Sequence, residues 1–179
     1  MTPLRFARLG LLLVCACLAG GRARAQGAAA PCPSELGEFL KSQGYSAIEL
    51  SQNTAKQFEV EATLNGKIPL LLLVDTGASM TVFDRDKLKD AGIDVEKTDL
   101  QVFGFGGDQR AYSGQIQTLA IGSAQMGVTS ILGVDLSDFQ KQQKKIGSRP
   151  IDGLIGSDFL SRYSAVIEVK HSILYLRTQ

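Results

Sequence analysis

Asp75 is the residue in this chain best placed to do chemistry. It ends the run Leu70-Leu71-Leu72-Leu73-Val74, which has no polar position, and is followed by Thr76-Gly77-Ala78-Ser79. Such a run, entered through Asn65-Gly66, reads as the second strand of a hairpin, buried on both faces. A carboxylate leaving the end of a buried strand is costly unless it is hydrogen-bonded or used, and the use open to it is acid–base chemistry. Thr76 brings a hydroxyl that can bond across to another backbone. Gly77 lets the chain turn sharply and lets a substrate backbone come close. For the three residues Asp75-Thr76-Gly77 alone, two readings stand: an Asx-type turn that closes a strand, or a working acid. Four features favour the acid: the wholly apolar strand, the extension Ala78-Ser79, a glycine-rich tip at Gly104-Phe105-Gly106-Gly107-Asp108, and a second apolar-apolar-glycine segment, Leu154-Ile155-Gly156, that leads into a helix.

Other chemistries find little support. Catalysis by Cys32 needs a histidine base, and the single histidine is His171, which reads as a turn residue between two strands near the end of the chain. The usual His and Cys ligands are nearly absent, so neither a metal nor another cofactor is expected. Glycines at 104, 106 and 107 suggest a phosphate loop only if a helix follows, and here a strand follows. With 19 basic and 18 acidic residues the chain carries no nucleic-acid footprint. Lys141, Lys144 and Lys145 read as a solvated helix face.

The elements that must position Asp75 are mostly strands. Phe58, Val60, Ala62 and Leu64 alternate with Gln57, Glu59, Glu61 and Thr63, which predicts a strand with one buried face. Before it, Ser34 caps a short helix with Leu36, Phe39 and Leu40 on one face and Gly44 at its end; Tyr45 to Leu50 is a strand and Gln52 to Lys56 a turn. After the Asp75 segment, Asp84 caps a helix through Leu88 and Ala91 that ends at Gly92. Val102 to Ile121 reads as two strands around the glycine tip, Met126 to Val134 as one strand, and Asp138 to Ile146 as a polar helix. Ser157 is expected to cap a helix through Leu160, and Ala165 to Val169 and Ile173 to Arg177 form a closing hairpin. Short strands with frequent turns predict an all-β barrel or sandwich with small helices.

The first residues stand apart. Arg5 and Arg8, the apolar stretch Leu9 to Gly20, and Ala23-Arg24-Ala25 follow the order of a cleaved export signal over residues 1–25, leaving Gln26 first in a periplasmic or secreted protein. A rival reading is lipid attachment at Cys17, which alone would bring the chain to a membrane; Cys15 is awkward in that motif. An uncleaved anchor is the third. Cleavage at 25 leaves Cys32 as the one cysteine, free or paired between subunits. Residues 26–56 are read as a linker, short helix and strand, and residues 57–179 as the main domain.

With these segments in this order, the sequence resembles the retropepsin-like aspartic peptidases, in particular their bacterial exported members, from Gln57 to Arg177. The matching parts are Leu72-Leu73-Val74-Asp75-Thr76-Gly77-Ala78-Ser79, the stretch Phe103 to Ser113, and Asp152-Gly153-Leu154-Ile155-Gly156-Ser157-Asp158-Phe159-Leu160. The resemblance implies a mostly β, single-lobe retropepsin-like acid-protease barrel with short helices, active as a symmetric dimer. It implies Asp75 as the catalytic acid, with Thr76 and Gly77 in support and Thr76 interlocked with Thr76 of a second copy. Gly77, Ala78 and Ser79 would meet substrate, as would Phe105, Gly106 and Gly107 at the tip of a flap over residues 103–113. An ordinary mobile hairpin fits that segment as well. Leu154-Ile155-Gly156 would brace the active-site loop.

Two departures bear on mechanism. Two-lobed pepsin-like enzymes carry two such motifs in one chain, and this chain has one. Peptide hydrolysis of this kind needs one carboxylate as base for a water and one as acid for the carbonyl oxygen and leaving amine. A homodimer with the site on its two-fold axis supplies both. The expected activity is thus aspartic endopeptidase action on peptide or protein. The alternatives are a non-catalytic dimeric peptide-binding module with the same fold, or a plain structural β domain. The second departure is the polar segment 135–149, longer than a minimal viral-type enzyme needs.

Overall fold

The computed structural model describes residues 34–104, 107–127 and 130–177. The expected export signal, Cys17, Gln26, Cys32 and the flap-tip residues Phe105 and Gly106 lie outside them. Among the described residues no helix is long and apolar enough to cross a membrane.

The protein is mostly β. A two-stranded opening, β1 (Tyr45–Glu49) and β2 (Ser51–Gln52), leads to β3 (Phe58–Leu64) and β4 (Ile68–Val74). Next come β5 (Val82–Asp84), β6 (Val95–Gly104), β7 (Gly107–Gln115), β8 (Leu119–Ile121) and β9 (Ala124–Met126). The last four are β10 (Ser130–Val134), β11 (Gly153–Ile155), β12 (Val166–Glu168) and β13 (Ile173–Arg177). Four short helices punctuate them: α1 (Glu35–Ser42), α2 (Arg85–Asp90), α3 (Ser137–Lys145) and α4 (Ser157–Arg162). The large sheet has the order β6-β7-β10-β5-β11-β4-β3-β8-β9, with β2 on β3. A second sheet has the order β1-β13-β12.

The hairpin β3–β4 turns at Asn65 and Gly66, both left-handed at φ 49° and 67°, with Lys67 N–H donating to Leu64 O at 3.1 Å across them; Leu64 then pairs with Ile68, so the loop holds residues 65–67. Strand β4 is apolar throughout because it separates two cores. Leu70 and Leu72 join one cluster with Phe83 and Ile155, while Leu71 and Leu73 join another with Val82 and Leu154. Each buried leucine contributes about 1.5–3 kcal/mol, so an inward polar residue at any of these positions would be strongly destabilising. Strand β13 alternates in the same way. Leu174 and Leu176 enter the main core, while Ile173 and Tyr175 face Leu40 of α1.

Several expectations are corrected. Helix α1 buries Gly37 and Leu40, and Leu36 and Phe39 point to solvent at 42% and 60% exposure. The helix crosses so close to Tyr175 that a Cβ at Gly37 would lie 2.7 Å from the phenol oxygen, which fixes that side inward. Glu59, expected on the outer side of β3, is buried at 2% exposure, with the Arg149 guanidinium 3.7 Å from its Oε2. The stretch 102–121 contains the end of β6, all of β7 and the separate β8, which pairs with β3. Met126 to Val134 divides between β9 and β10. Ser157 is the first residue of α4 and not its cap; Gly156 takes the cap position without a side-chain bond.

The α1 side of the small sheet is held by a polar cluster. Glu168 accepts hydrogen bonds from the Tyr175 hydroxyl at 2.7 Å and from Ser34 at 3.0 Å, and pairs with His171 Nδ1. Ser34 is also the N-cap of α1. The Tyr175 hydroxyl first, then His171, hold the Glu168 carboxyl below its usual range. Folding therefore favours the ionised form. The stabilisation is complete above the ordinary glutamate pKa of about 4.3 and is lost as pH falls through the lower folded-state value. Glu168→Gln should be less stable than wild type at pH 7, and the gap should close on acidification. Urea unfolding of both proteins across pH checks this; a gap that stays constant to low pH would contradict it.

Candidate active site

The loop after β4 is fixed from beneath by β11. This strand lies between β4, parallel to it with Ile155 opposite Val74, and β5, antiparallel with Leu154 opposite Val82. The Asp75 N–H donates to Ile155 O at 3.0 Å, so the catalytic candidate starts from a backbone position set by a distant segment. Beyond the strand, Ser157 N–H donates to Ala78 O at 2.8 Å, and Gly156 N–H donates to the Thr81 hydroxyl at 3.0 Å. That hydroxyl donates onward to Asp158 at 2.7 Å. The loop 75–81 is thereby bonded to residues 155–158 at several points.

Within the loop, Gly77 N–H donates to Asp75 Oδ1 at 2.9 Å and Ala78 N–H to Asp75 O at 3.2 Å. The Asx-type turn is thus present, and it orients the carboxylate instead of consuming it, since one oxygen carries that bond. A Cβ at Gly77 would sit 3.2 Å from Oδ1 and crowd the same oxygen. Asp75 is half-buried, and Thr76 and Gly77 are exposed.

A cavity of about 630 Å³ opens over this loop. It brings together Asp75, Gly77, Ala78 and Ser79 with Phe103 and Gly104 at the end of β6. Thr76 is not among the residues lining it. Gly107 pairs with Gly104 across the hairpin, and Phe105 and Gly106 fall between them, outside the described residues. The hairpin is held on one side along its length: Arg85 lies over the Tyr112 ring at 5.2 Å toward the root, and Gln109 Oε1 accepts from Asp135 N–H at 3.1 Å nearer the tip. Sequence reasoning missed the far wall, where Phe139 and Gln142 of α3 line the cavity. The one available signal was an aromatic residue in an otherwise polar helix. Among the described residues no group of three or more His, Cys, Asp or Glu is arranged to hold a metal.

The fold has known counterparts. The crystal structure of a retropepsin-like aspartic protease from Rickettsia conorii aligns over 74% of this chain and 89% of its own, at 18% identity and a TM-score of 0.50. The retroviral protease-like domain of Ddi1 from Leishmania major aligns over 69% and 90%, at 18% identity and a TM-score of 0.48. No curated protein matches the chain by sequence. A family model described as aspartyl protease matches residues 60–159, from inside β3 to the first turns of α4, and so spans the hairpin, the Asp75 loop and the strand that braces it. The family model spans more than half of the sequence and the structural alignment supplies the fold: the chain belongs to the aspartyl protease family and has the retropepsin-like fold.

Proposed function

We propose that this chain is an aspartic endopeptidase whose active unit is a homodimer, with Asp75 of each copy facing one shared water and one scissile peptide bond. The observation that carries this reading is that Asp75 is the one carboxylate among the described residues lining the cleft. Hydrolysis needs two such groups. An ionised Asp75 takes a proton from water as the water oxygen bonds to the carbonyl carbon. A protonated Asp75 on the second copy gives its proton to the carbonyl oxygen. Collapse of the tetrahedral carbon breaks the C–N bond as a proton passes to the leaving nitrogen. Two carboxylates this close share one proton, since like charges cannot both ionise there.

The same reading assigns Thr76 and Gly77 supporting roles at the two-fold contact, and both are exposed in this chain. Strand β13 has β1 on one edge and β12 on the other. A second copy therefore cannot add to β13 itself, and the proposed two-fold contact is made at the Asp75 loop. Gly77, Ala78 and Ser79 lie where an extended substrate backbone would run, under the hairpin as a flap. Residues 1–25 serve as a cleaved export signal and residues 57–179 as the peptidase domain. Specific activity on a mixed peptide library should fall on dilution in step with the dimer fraction measured by sedimentation. A monomer with full specific activity would refute the shared site.

A further inference from the structure

We infer that α3 is the selectivity wall of the cleft, and that Gln142 is the residue that confines its peptide substrates to uncharged side chains at the position packed against Phe139. The inference rests on the reading of this cleft as the peptide site. Two residues of α3 line the cavity, Phe139 and Gln142. They are three apart and so stack on one side of the helix. The neighbouring glutamines hold that side in place. Gln140 Nε2 donates to Ile151 O at 2.8 Å, and Ile151 N–H donates to Gln143 Oε1 at 3.1 Å. The helix is thereby clamped on both polar groups of Ile151, just before the strand that braces Asp75. Phe139 packs against the second core, as does Val102.

Charge on α3 is kept off the cavity. Asp138 and Lys141 pair with each other at 2.8 Å, Lys144 and Lys145 are exposed, and none of the four lines the cleft. Phe139 shares the cavity lining with the apolar side chains of Met80, Val82, Val102 and Phe103, and Gln142 adds an uncharged amide to it. Apolar walls reject an unpaired charge because its desolvation is not compensated. A neutral amide supplies an NH2 donor group and an acceptor oxygen and cannot neutralise a charge. Long uncharged side chains, apolar along the stem and able to hydrogen-bond at the tip, suit that wall.

Gln142 is exposed, so its replacement leaves the clamp and the fold in place, and circular dichroism verifies this. Peptide libraries varied one position at a time are offered to wild type, Gln142→Glu and Gln142→Lys. The same libraries are selected for binding by the three proteins carrying Asp75→Asn. At one substrate position, Gln142→Glu should raise preference for Lys and Arg over Gln and Met roughly fivefold, the size of a partly screened ion pair. Gln142→Lys should shift the same position toward Asp and Glu. Wild-type cleavage with preferences unchanged in both variants overturns the wall and leaves the peptidase reading standing. Binding preferences that switch while wild type cleaves nothing uphold the wall and sink the peptidase reading. Neither cleavage nor selective binding overturns both.

Discussion

Asp75→Asn should lower peptide turnover by about a thousandfold or more, the scale of a lost acid–base catalyst, with the fold and the dimer unchanged. The structural side of this expectation follows from where Asp75 is held. Its position is set through main-chain atoms, by its N–H on Ile155 O and its carbonyl under Ala78 N–H. Neither bond involves the side chain. The one side-chain bond among the described residues, from Gly77 N–H to Oδ1, is open to asparagine, whose Oδ1 is also an acceptor. The amide therefore keeps shape and turn and loses the exchangeable proton. In the proposed homodimer one substitution removes both carboxylates, so no ionised partner would remain to activate water. The measurement is kcat on one cleaved peptide, with unfolding and sedimentation run in parallel. Turnover within tenfold of wild type, in a folded dimer, would remove Asp75 from the mechanism.

The parts of this site that could be read from the sequence are those written in local pattern. The apolar run at 70–74 announced a strand buried twice over, and its alternate leucines do enter two different cores. Asn65-Gly66 announced its turn, and Asp84 announced its cap, accepting from Lys87 N–H at 2.9 Å. What local pattern could not carry was pairing across long separations. Strand β8 lies on β3 because Leu119 stands opposite Leu64, and nothing near residue 119 encodes that choice. Burial of Glu59 depends on Arg149 arriving from a distant segment, so period-two alternation placed it outside. The cavity wall was hidden for a related reason. A helix as polar as α3 reads as solvated, and its clamp on Ile151 and the packing of Phe139 on the second core both depend on segments distant in sequence.

Gly156 shows the same limit most sharply, and Gly156→Ala is the second large effect expected. Its backbone is ordinary extended chain at φ −93° and ψ −179°, a conformation any residue adopts. Glycine is required by what lies opposite. A Cβ there would fall 2.5 Å from the Met80 carbonyl carbon, 2.6 Å from its oxygen and 3.0 Å from Ala78 O. All three are main-chain atoms of the Asp75 loop, so no rotamer relieves the clash. Either β11 withdraws or the loop moves. Withdrawal strains the bonds that flank the site, Asp75 N–H to Ile155 O and Ser157 N–H to Ala78 O. Overpacking of this kind costs about 2–3 kcal/mol, which lowers Tm by about 5–10 °C in a domain of this size. Activity should fall further than the folded fraction does, because the displaced element is the one that aims the carboxylate. Gly127→Ala is the control, since a Cβ there meets nothing within 4 Å among the described residues, and it should stay within about 0.5 kcal/mol of wild type. Chemical denaturation gives the stability of both variants, and kcat measured well below the melting range of Gly156→Ala separates misplacement from unfolding. A Gly156→Ala protein as stable and as active as the control would mean that the loop yields freely, and that β11 does not fix Asp75.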